Sequence, residues 1–161
     1  GDVYKRQGFT FLTSKDIIEL ASPELEALRD ETQVSAHLAI RDGRDVLYLH
    51  CVQTRSGFLS NMNVGARVPA HASPMGWLLL SDLPAEELLE LYRGADLAPM
   101  TDKTPSSPKA LAQAVWRAGR DGLVISRGVM EAGGSSVCAP VRDRAGRVVA
   151  AMSSALGTAK A

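Results

Sequence analysis

Two stretches of alternating apolar and polar residues, each doubling back across a glycine turn, limit this chain more than any other feature. In the first, Val34, Ala36, Leu38 and Ile40 lie on one side of a strand, and Ser35, His37, Ala39 and Arg41 on the other, which reads as a wet face. Arg41-Asp42-Gly43-Arg44 supplies a turn, and Val46 to Gln53 follows as the partner strand. The pattern returns as Ser136 to Val141, a turn at Arg142-Asp143-Arg144-Ala145-Gly146, and Val148 to Ser154. Strands joined by tight turns pair antiparallel, whereas parallel neighbours need a long crossover. With blocks of helical period between the hairpins, the expectation is an antiparallel sheet with helices packed on it, not a doubly wound parallel sheet.

The helical blocks carry their own start and stop signals. Ser14 reads as the cap of a helix over Lys15 to Ala21. Ser22-Pro23-Glu24 reads as a second start, so two helical pieces are expected to meet near Pro23 and fade at Glu31-Thr32. Leu59 to Val64 reads as a third strand, ending at Gly65. Helical spacing resumes from Ala72 to Leu80 and restarts at Pro84-Ala85-Glu86-Glu87. Asp96 to Ser107 is a surface connection. Ser107-Pro108 opens a further helix with Leu111, Val115 and Ala118 inward, and Leu123 to Ser126 is a short strand. Residues 1–8 are unpatterned and are set aside as a non-native or disordered tail, which leaves 9–161 as one domain.

Charge and cysteine usage exclude several function classes. Across 161 residues, 18 basic side chains balance 18 acidic ones, so the excess of cations that phosphate-backbone binding demands is missing. The only cysteines, Cys51 and Cys138, have no CxxC spacing and no secretory segment ahead of them, which points to reduced thiols in a soluble, cytoplasmic protein. The longest apolar runs, such as Trp77-Leu78-Leu79-Leu80, fall far short of the roughly 20 residues needed to span a bilayer. No GxGxxG, GxxxxGK or HExxH pattern occurs, so no cofactor is expected. His37, His50, Cys51 and His71 are the available metal ligands and read better as ordinary strand and loop residues. A hydrolase or transferase using Cys138 or Ser136 with His71 is the enzymatic alternative, although no GxSxG elbow supports it.

Two segments have the composition of pocket walls. In Arg67-Val68-Pro69-Ala70-His71-Ala72-Ser73-Pro74-Met75-Gly76, small residues lead into a helix whose free amides suit a carboxylate. The same residues also describe a tight strand-to-helix junction whose glycine permits close packing. In Glu131-Ala132-Gly133-Gly134-Ser135-Ser136-Val137-Cys138-Ala139-Pro140-Val141, glycines and hydroxyls before an apolar strand can open a sheet face to a ligand. They describe a glycine turn with capping serines equally well, and on the residues alone both readings stand.

At these segments the chain resembles the isocitrate lyase regulator (IclR) family of bacterial transcription regulators, in their effector-binding domain. The likeness runs from about Phe9 to Ser154. It is carried by the hairpin around Asp42-Gly43, by Val64-Gly65-Ala66-Arg67-Val68-Pro69-Ala70-His71-Ala72-Ser73-Pro74-Met75-Gly76, by Leu83-Pro84 with its acidic helix, and by Ala139-Pro140-Val141-Arg142-Asp143 followed by Gly146. The resemblance implies an α/β (α+β) GAF-like domain, a curved antiparallel sheet with helices on both faces. It implies a sensor and not an enzyme, one that binds a small organic or aromatic acid and thereby modulates operator binding in a dimer or tetramer. The ligand-binding positions it implies are Ser73, Pro74, Met75 and Gly76 at the junction, Ser126, Gly134 and Ser136 on the middle strands, and Ser153 and Ala155 on the last strand. Anion capture falls to the junction amides, hydrogen bonding to the hydroxyls, and shape selection to Met75 and Phe58. Ser126 and Ser136 stand where members binding small keto acids carry an acidic residue and a cysteine, so the effector is expected to differ. The family's N-terminal winged helix-turn-helix, through which DNA contact would be made, and its C-terminal helix are not matched by any part of this chain.

Overall fold

The computed structural model describes residues 3–6, 10–54 and 63–156. A two-stranded ribbon, β1 (Val3–Arg6) and β2 (Thr10–Thr13), leads into α1 (Ser14–Thr32). The ribbon takes in part of the segment set aside above as a tail. Six strands then form one sheet: β3 (Ala36–Asp42), β4 (Asp45–Val52), β5 (Arg67–Pro69), β6 (Val124–Arg127), β7 (Ser135–Arg142) and β8 (Val148–Leu156). Their order is β5-β4-β3-β8-β7-β6, with every neighbouring pair antiparallel. Between β5 and β6 come a 3-10 turn (Ala70–Ala72), α2 (Pro74–Leu80), α3 (Ala85–Leu91) and α4 (Pro108–Asp121).

Both expected hairpins form, and Gly43 closes the first with φ +63°, a conformation that costs glycine nothing. The wet face expected on the first strand does not exist. From Ser35 to Ile40 every residue is buried, because β3 and β8 occupy the middle of the sheet and helices cover both sides. On one side α1 presents Ile17, Ala21 and Leu25 to Ala36, Leu38, Ile40, Val149 and Ala150. On the other, Met75, Leu78, Leu79 and Leu80 of α2 pack with Ala39, Tyr48, Cys138 and Ala151, and α4 adds Leu111, Val115 and Ala118. A leucine as fully enclosed as Leu25 or Leu78 contributes roughly 1.5–3 kcal/mol.

Two further expectations need correction. Residues 14–32 form one helix running through Pro23, not two pieces. The buried stripe Ile17, Ala21, Leu25 is continuous across the proline, and the Ser22 hydroxyl donates to the Ile18 carbonyl one turn back. The helix is capped by Thr13 and not by Ser14: Thr13 Oγ1 accepts from Asp16 N–H and the Asp16 carboxylate accepts from Thr13 N–H, both at 3.0 Å. The expected third strand, Leu59 to Val64, lies mostly beyond what the structure describes. Leu59 to Met62 lie outside the described residues, Asn63 and Val64 are irregular, and the strand that pairs with β4 is Arg67–Pro69.

The junction before α2 is as tight as its small residues suggested. A Cβ on Gly76 would sit 2.1 Å from the Ala70 carbonyl oxygen, which is backbone and cannot swing away. Gly76→Ala is therefore expected to cost at least about 2 kcal/mol, as overpacking does, and to lower the melting temperature by roughly 4–8 °C in a domain of this size. A melting temperature within about 1 °C of the parent would show that the contact relaxes without cost.

Candidate functional site

Strand register assembles the site. Ser126 on β6 is the partner of Ser136 on β7, which is the partner of Ala155 on β8, so three of the expected positions form one row across the sheet. In the next row Cys138 pairs with Ser153, Ser153 with His37, and His37 with Cys51. Directly opposed residues share a face. That face is the one under α2, because Ala151 and Cys138 pack with Met75 while Met152 packs with α1. Ser126 Oγ lies 2.9 Å from Ser136 Oγ, and Ser136 Oγ lies 3.8 Å from Cys138 Sγ, which makes a chain of weakly committed donors along the sheet floor. His37 meets the Tyr48 ring edge to face, with centroids 5.7 Å apart.

Neighbouring serines divide their work by pleat. Ser153 looks toward α2, whereas Ser154 looks the other way, sits 3.1 Å from Thr32 Oγ1 and donates to the Ser35 carbonyl, so it fastens α1 to the sheet. At the junction, Ser73 is fully buried and accepts from Gly76 N–H at 3.4 Å, and its carbonyl takes Trp77 N–H at 3.1 Å. Pro74 has no N–H. Of the first-turn amides, Met75 N–H is the one left for a guest among the described residues, so anion capture by several junction amides is not what this turn offers. Gly134 is also occupied: its N–H goes to the Glu131 carbonyl and its carbonyl accepts from Gly128, closing the β6–β7 loop. Its part is to shape that loop. Phe58 lies outside the described residues.

Burial keeps the floor uncharged at neutral pH. Loss of water raises the Cys138 thiol to about 12 and the Tyr48 phenol to about 12, raises Cys51, and lowers His37 from its ordinary 6.5. A thiol held that high is not a nucleophile at neutral pH. His71 Nε2 is hydrogen-bonded to the Ala98 carbonyl at 2.8 Å, not to a serine or a thiol, so the expected base of the enzymatic alternative is engaged elsewhere. Among the described residues no group of three His, Cys, Asp or Glu side chains is placed to hold a metal ion. No helix of the described residues is long and apolar enough to cross a membrane.

Sequence reasoning missed His37, Tyr48 and Cys51 as members of this floor. The signal was present in part, since His37 alternates with Leu38 and Ala36. Only the pairing of β3 with β8, more than a hundred residues away in sequence, brings it beside Ser153.

Comparison with known proteins bears on this geometry. Residues 9–160 match the family model described as "Bacterial transcriptional regulator IclR C-terminal". The chain is 30% identical over 146 residues to the Pca regulon regulatory protein of Pseudomonas putida, covering 90% of this chain and 50% of that protein. It is similar in fold to an IclR homolog from Microbacterium hydrocarbonoxydans complexed with 4-hydroxybenzoate, at TM-score 0.78 and 23% identity, covering 100% of this chain and 72% of that one. It is likewise similar to the inducer-binding domain of a PobR double mutant from Acinetobacter in complex with 3-hydroxybenzoic acid, at TM-score 0.77 and 22% identity, covering 87% and 82%. The chain spans about half the length of the curated relatives it matches. These relatives are transcription regulators, and the enzymatic alternative gains no support from them.

The depressed His37 sets a sign for acid sensitivity. Between its folded value and 6.5 the unfolded chain binds the extra proton, so stability is complete above about pH 6.5 and is lost as pH falls through the folded value. Melting curves from pH 7.5 down to pH 5 are expected to fall less steeply for His37→Gln than for the parent. Identical slopes would assign the acid sensitivity to other groups.

Proposed function

The chain belongs to the IclR family of bacterial transcription regulators and spans their C-terminal domain, and from the site it builds we propose that it senses a small organic acid, most simply a monocyclic aromatic one. The observation that carries the reading is the double row of Ser126, Ser136, Ser153 and His37 on the one sheet face that α2 overlies. Hydroxyls that hydrogen-bond mainly to one another lose little when a guest takes one partner's place, and they supply directional contacts for a carboxylate or a phenol. The His37 and Tyr48 rings and the Met75 side chain offer apolar contact beside them. Two family relatives of known structure hold hydroxybenzoates, ligands with this mix of ring, hydroxyl and carboxylate.

The floor's neutrality shapes what binding must do. Its described groups supply no standing positive charge, so an acid is held by hydroxyls, by the Met75 amide and by a proton taken up on His37 or on the acid itself. Ser73, Pro74, Met75 and Gly76 border the site as the start of α2. Ser153 and Ala155 are its contribution from β8, Gly134 shapes the loop at its rim, and Phe58 is assigned to it from the family resemblance alone.

In the whole regulator, residues 9–161 form the sensing domain. It acts in the cytoplasm, as a dimer or tetramer, and reaches DNA only through a separate N-terminal winged helix-turn-helix. Ligand that binds one arrangement of the assembly better than another biases the attached DNA readers by that difference in affinity.

A thermal-shift screen tests the reading. At 100 times its dissociation constant a ligand stabilises the domain by about 2.7 kcal/mol, which is a rise of roughly 5–10 °C here. 3- and 4-hydroxybenzoate, benzoate, glyoxylate and pyruvate form the first panel. Ser136→Ala is expected to weaken the best ligand by about tenfold, the worth of one hydrogen bond to a charged group. If no acid shifts melting and none co-purifies with the protein, the sensor reading fails.

A further inference from the structure

We infer that Thr101 and Lys103 are positioning residues of the candidate site: through the segment that carries them they tie the β6–β7 loop to the start of α2, so that the two walls of the site move together. The tie is a property of the free chain, and its service to an effector rests on the sensing role proposed above.

The segment between α3 and α4 is more than a surface connection. Leu97 is buried in the core that α2 and α4 build, and Thr104 is buried further along. Between these anchors, Thr104 Oγ1 accepts from Met100 N–H at 2.9 Å and from Thr101 N–H at 3.0 Å, and Thr101 Oγ1 accepts from Lys103 N–H at 3.1 Å. Hydroxyls thus supply the partners that a helix or a sheet would give these amides, and the turn holds its shape without either.

One end of this turn grips the β6–β7 loop. Thr101 Oγ1 donates to the Gly128 carbonyl at 2.6 Å and has the Val129 carbonyl at 2.9 Å, so a single hydrogen serves two acceptors. Lys103 Nζ donates to the Arg127 carbonyl at 3.2 Å, and its aliphatic chain lies over Gly128. The successive carbonyls of Arg127, Gly128 and Val129 are therefore held from one side. They directly follow Ser126, whose hydroxyl lies 2.9 Å from that of Ser136. Gly128 and Gly133 take positive φ, +72° and +82°, which gives the loop a pivot near each end, and the grip acts at the first of them.

The other end reaches the opposite wall. The Ala98 carbonyl, just before Thr101 in the chain, is hydrogen-bonded to His71 Nε2 at 2.8 Å, and the His71 carbonyl accepts from Trp77 Nε1–H at 2.9 Å. His71 and Trp77 bracket Ser73 to Gly76, the residues with which α2 borders the site. His71 is buried, so breaking its bond to Ala98 strands a ring nitrogen in the interior. A path of hydrogen bonds and a few peptide links therefore runs from Arg127 through Lys103, Thr101, Ala98 and His71 to Trp77. A shift of either wall pulls on the other through that path.

Hydrogen exchange followed by NMR on the free 161-residue chain tests the tie, since it needs no ligand. Thr101→Val keeps the shape of the side chain and removes its hydroxyl. Exchange of the Gly128 and Gly134 amides is expected to quicken about tenfold, the worth of the lost hydrogen bonds. At the opposite wall the Trp77 indole N–H is expected to quicken at least about threefold. Trp116, an exposed residue, carries the chain's other indole and is the internal reference, and the Leu38 and Ala39 amides at the sheet centre are expected to hold their rates. Thr101→Ser keeps the hydroxyl and should restore the parent's behaviour, while Lys109→Met, at an exposed position on α4, should change nothing. If Thr101→Val quickens Leu38 and Ala39 as well, Lys103→Met, which removes a surface bond and no core atom, decides by the same criteria. With 4-hydroxybenzoate as the probe, Thr101→Val is expected to release ligand about tenfold faster, and an unchanged rate would deny the tie any part in sensing. A parent that binds no acid sinks the sensor reading and leaves the exchange data to judge the tie. A Trp77 indole that keeps the parent's rate while the loop loosens, a loop indifferent to loss of the hydroxyl, or a Thr101→Ser protein as loose as Thr101→Val would overturn the assignment.

Discussion

Everything in this molecule depends on two central strands being enclosed on both sides. β3 and β8 lie in the middle of the sheet with α1 on one face and α2 on the other, and several of their residues packed beneath the helices are small: Ala36, Ala39, Ala150 and Ala151 are fully buried. Without large side chains there, a helix can approach the sheet closely, and the α2 turn can seat Gly76 against the Ala70 carbonyl. Burial of both faces makes the strands apolar where they meet helix. It also means that any polar group on them is dry and must be satisfied within the protein or by a guest.

The site follows from that enclosure. A sheet floor that pairs Ser126 with Ser136 and His37 with Ser153 would be ordinary surface if it faced water. Beneath α2 it becomes a low-dielectric patch in which thiol, phenol and imidazole all favour their neutral forms. In the proposed sensing role, recognition there rests on hydrogen-bond direction more than on charge, which suits ligands distinguished by the placement of a hydroxyl or a carboxyl. The same chemistry that suits it to binding makes it poor for catalysis, since no thiolate forms at neutral pH and His71 is tied to the Ala98 carbonyl.

The two edges of the sheet show a second division of labour. β5 is closed by a proline and by an arginine bridging two aspartates across the hairpin turn, so that edge ends the sheet. β6 exposes Ile125, carries Ser126 beside Ser136, and has its Arg127 carbonyl covered by Lys103 Nζ.

Local chemistry alone determined much of this. Period-two runs around Asp42-Gly43 and Asp143 to Gly146 dictated the hairpins, and the Ser73-Pro74 and Ser107-Pro108 pairs dictated helix starts. These are properties of neighbouring residues, so they can be read without knowing the fold. What the sequence could not specify is which face of a strand is covered, and by what. The wet face assigned to His37 became the floor of a site because a strand far along the chain pairs beside it. Pro23 sits inside an unbroken helix because the core runs continuously beneath it. Of two adjacent serines, one anchors α1 and the other faces the site. Such outcomes depend on long-range pairing and two-sided burial, and these exist only once the sheet has closed.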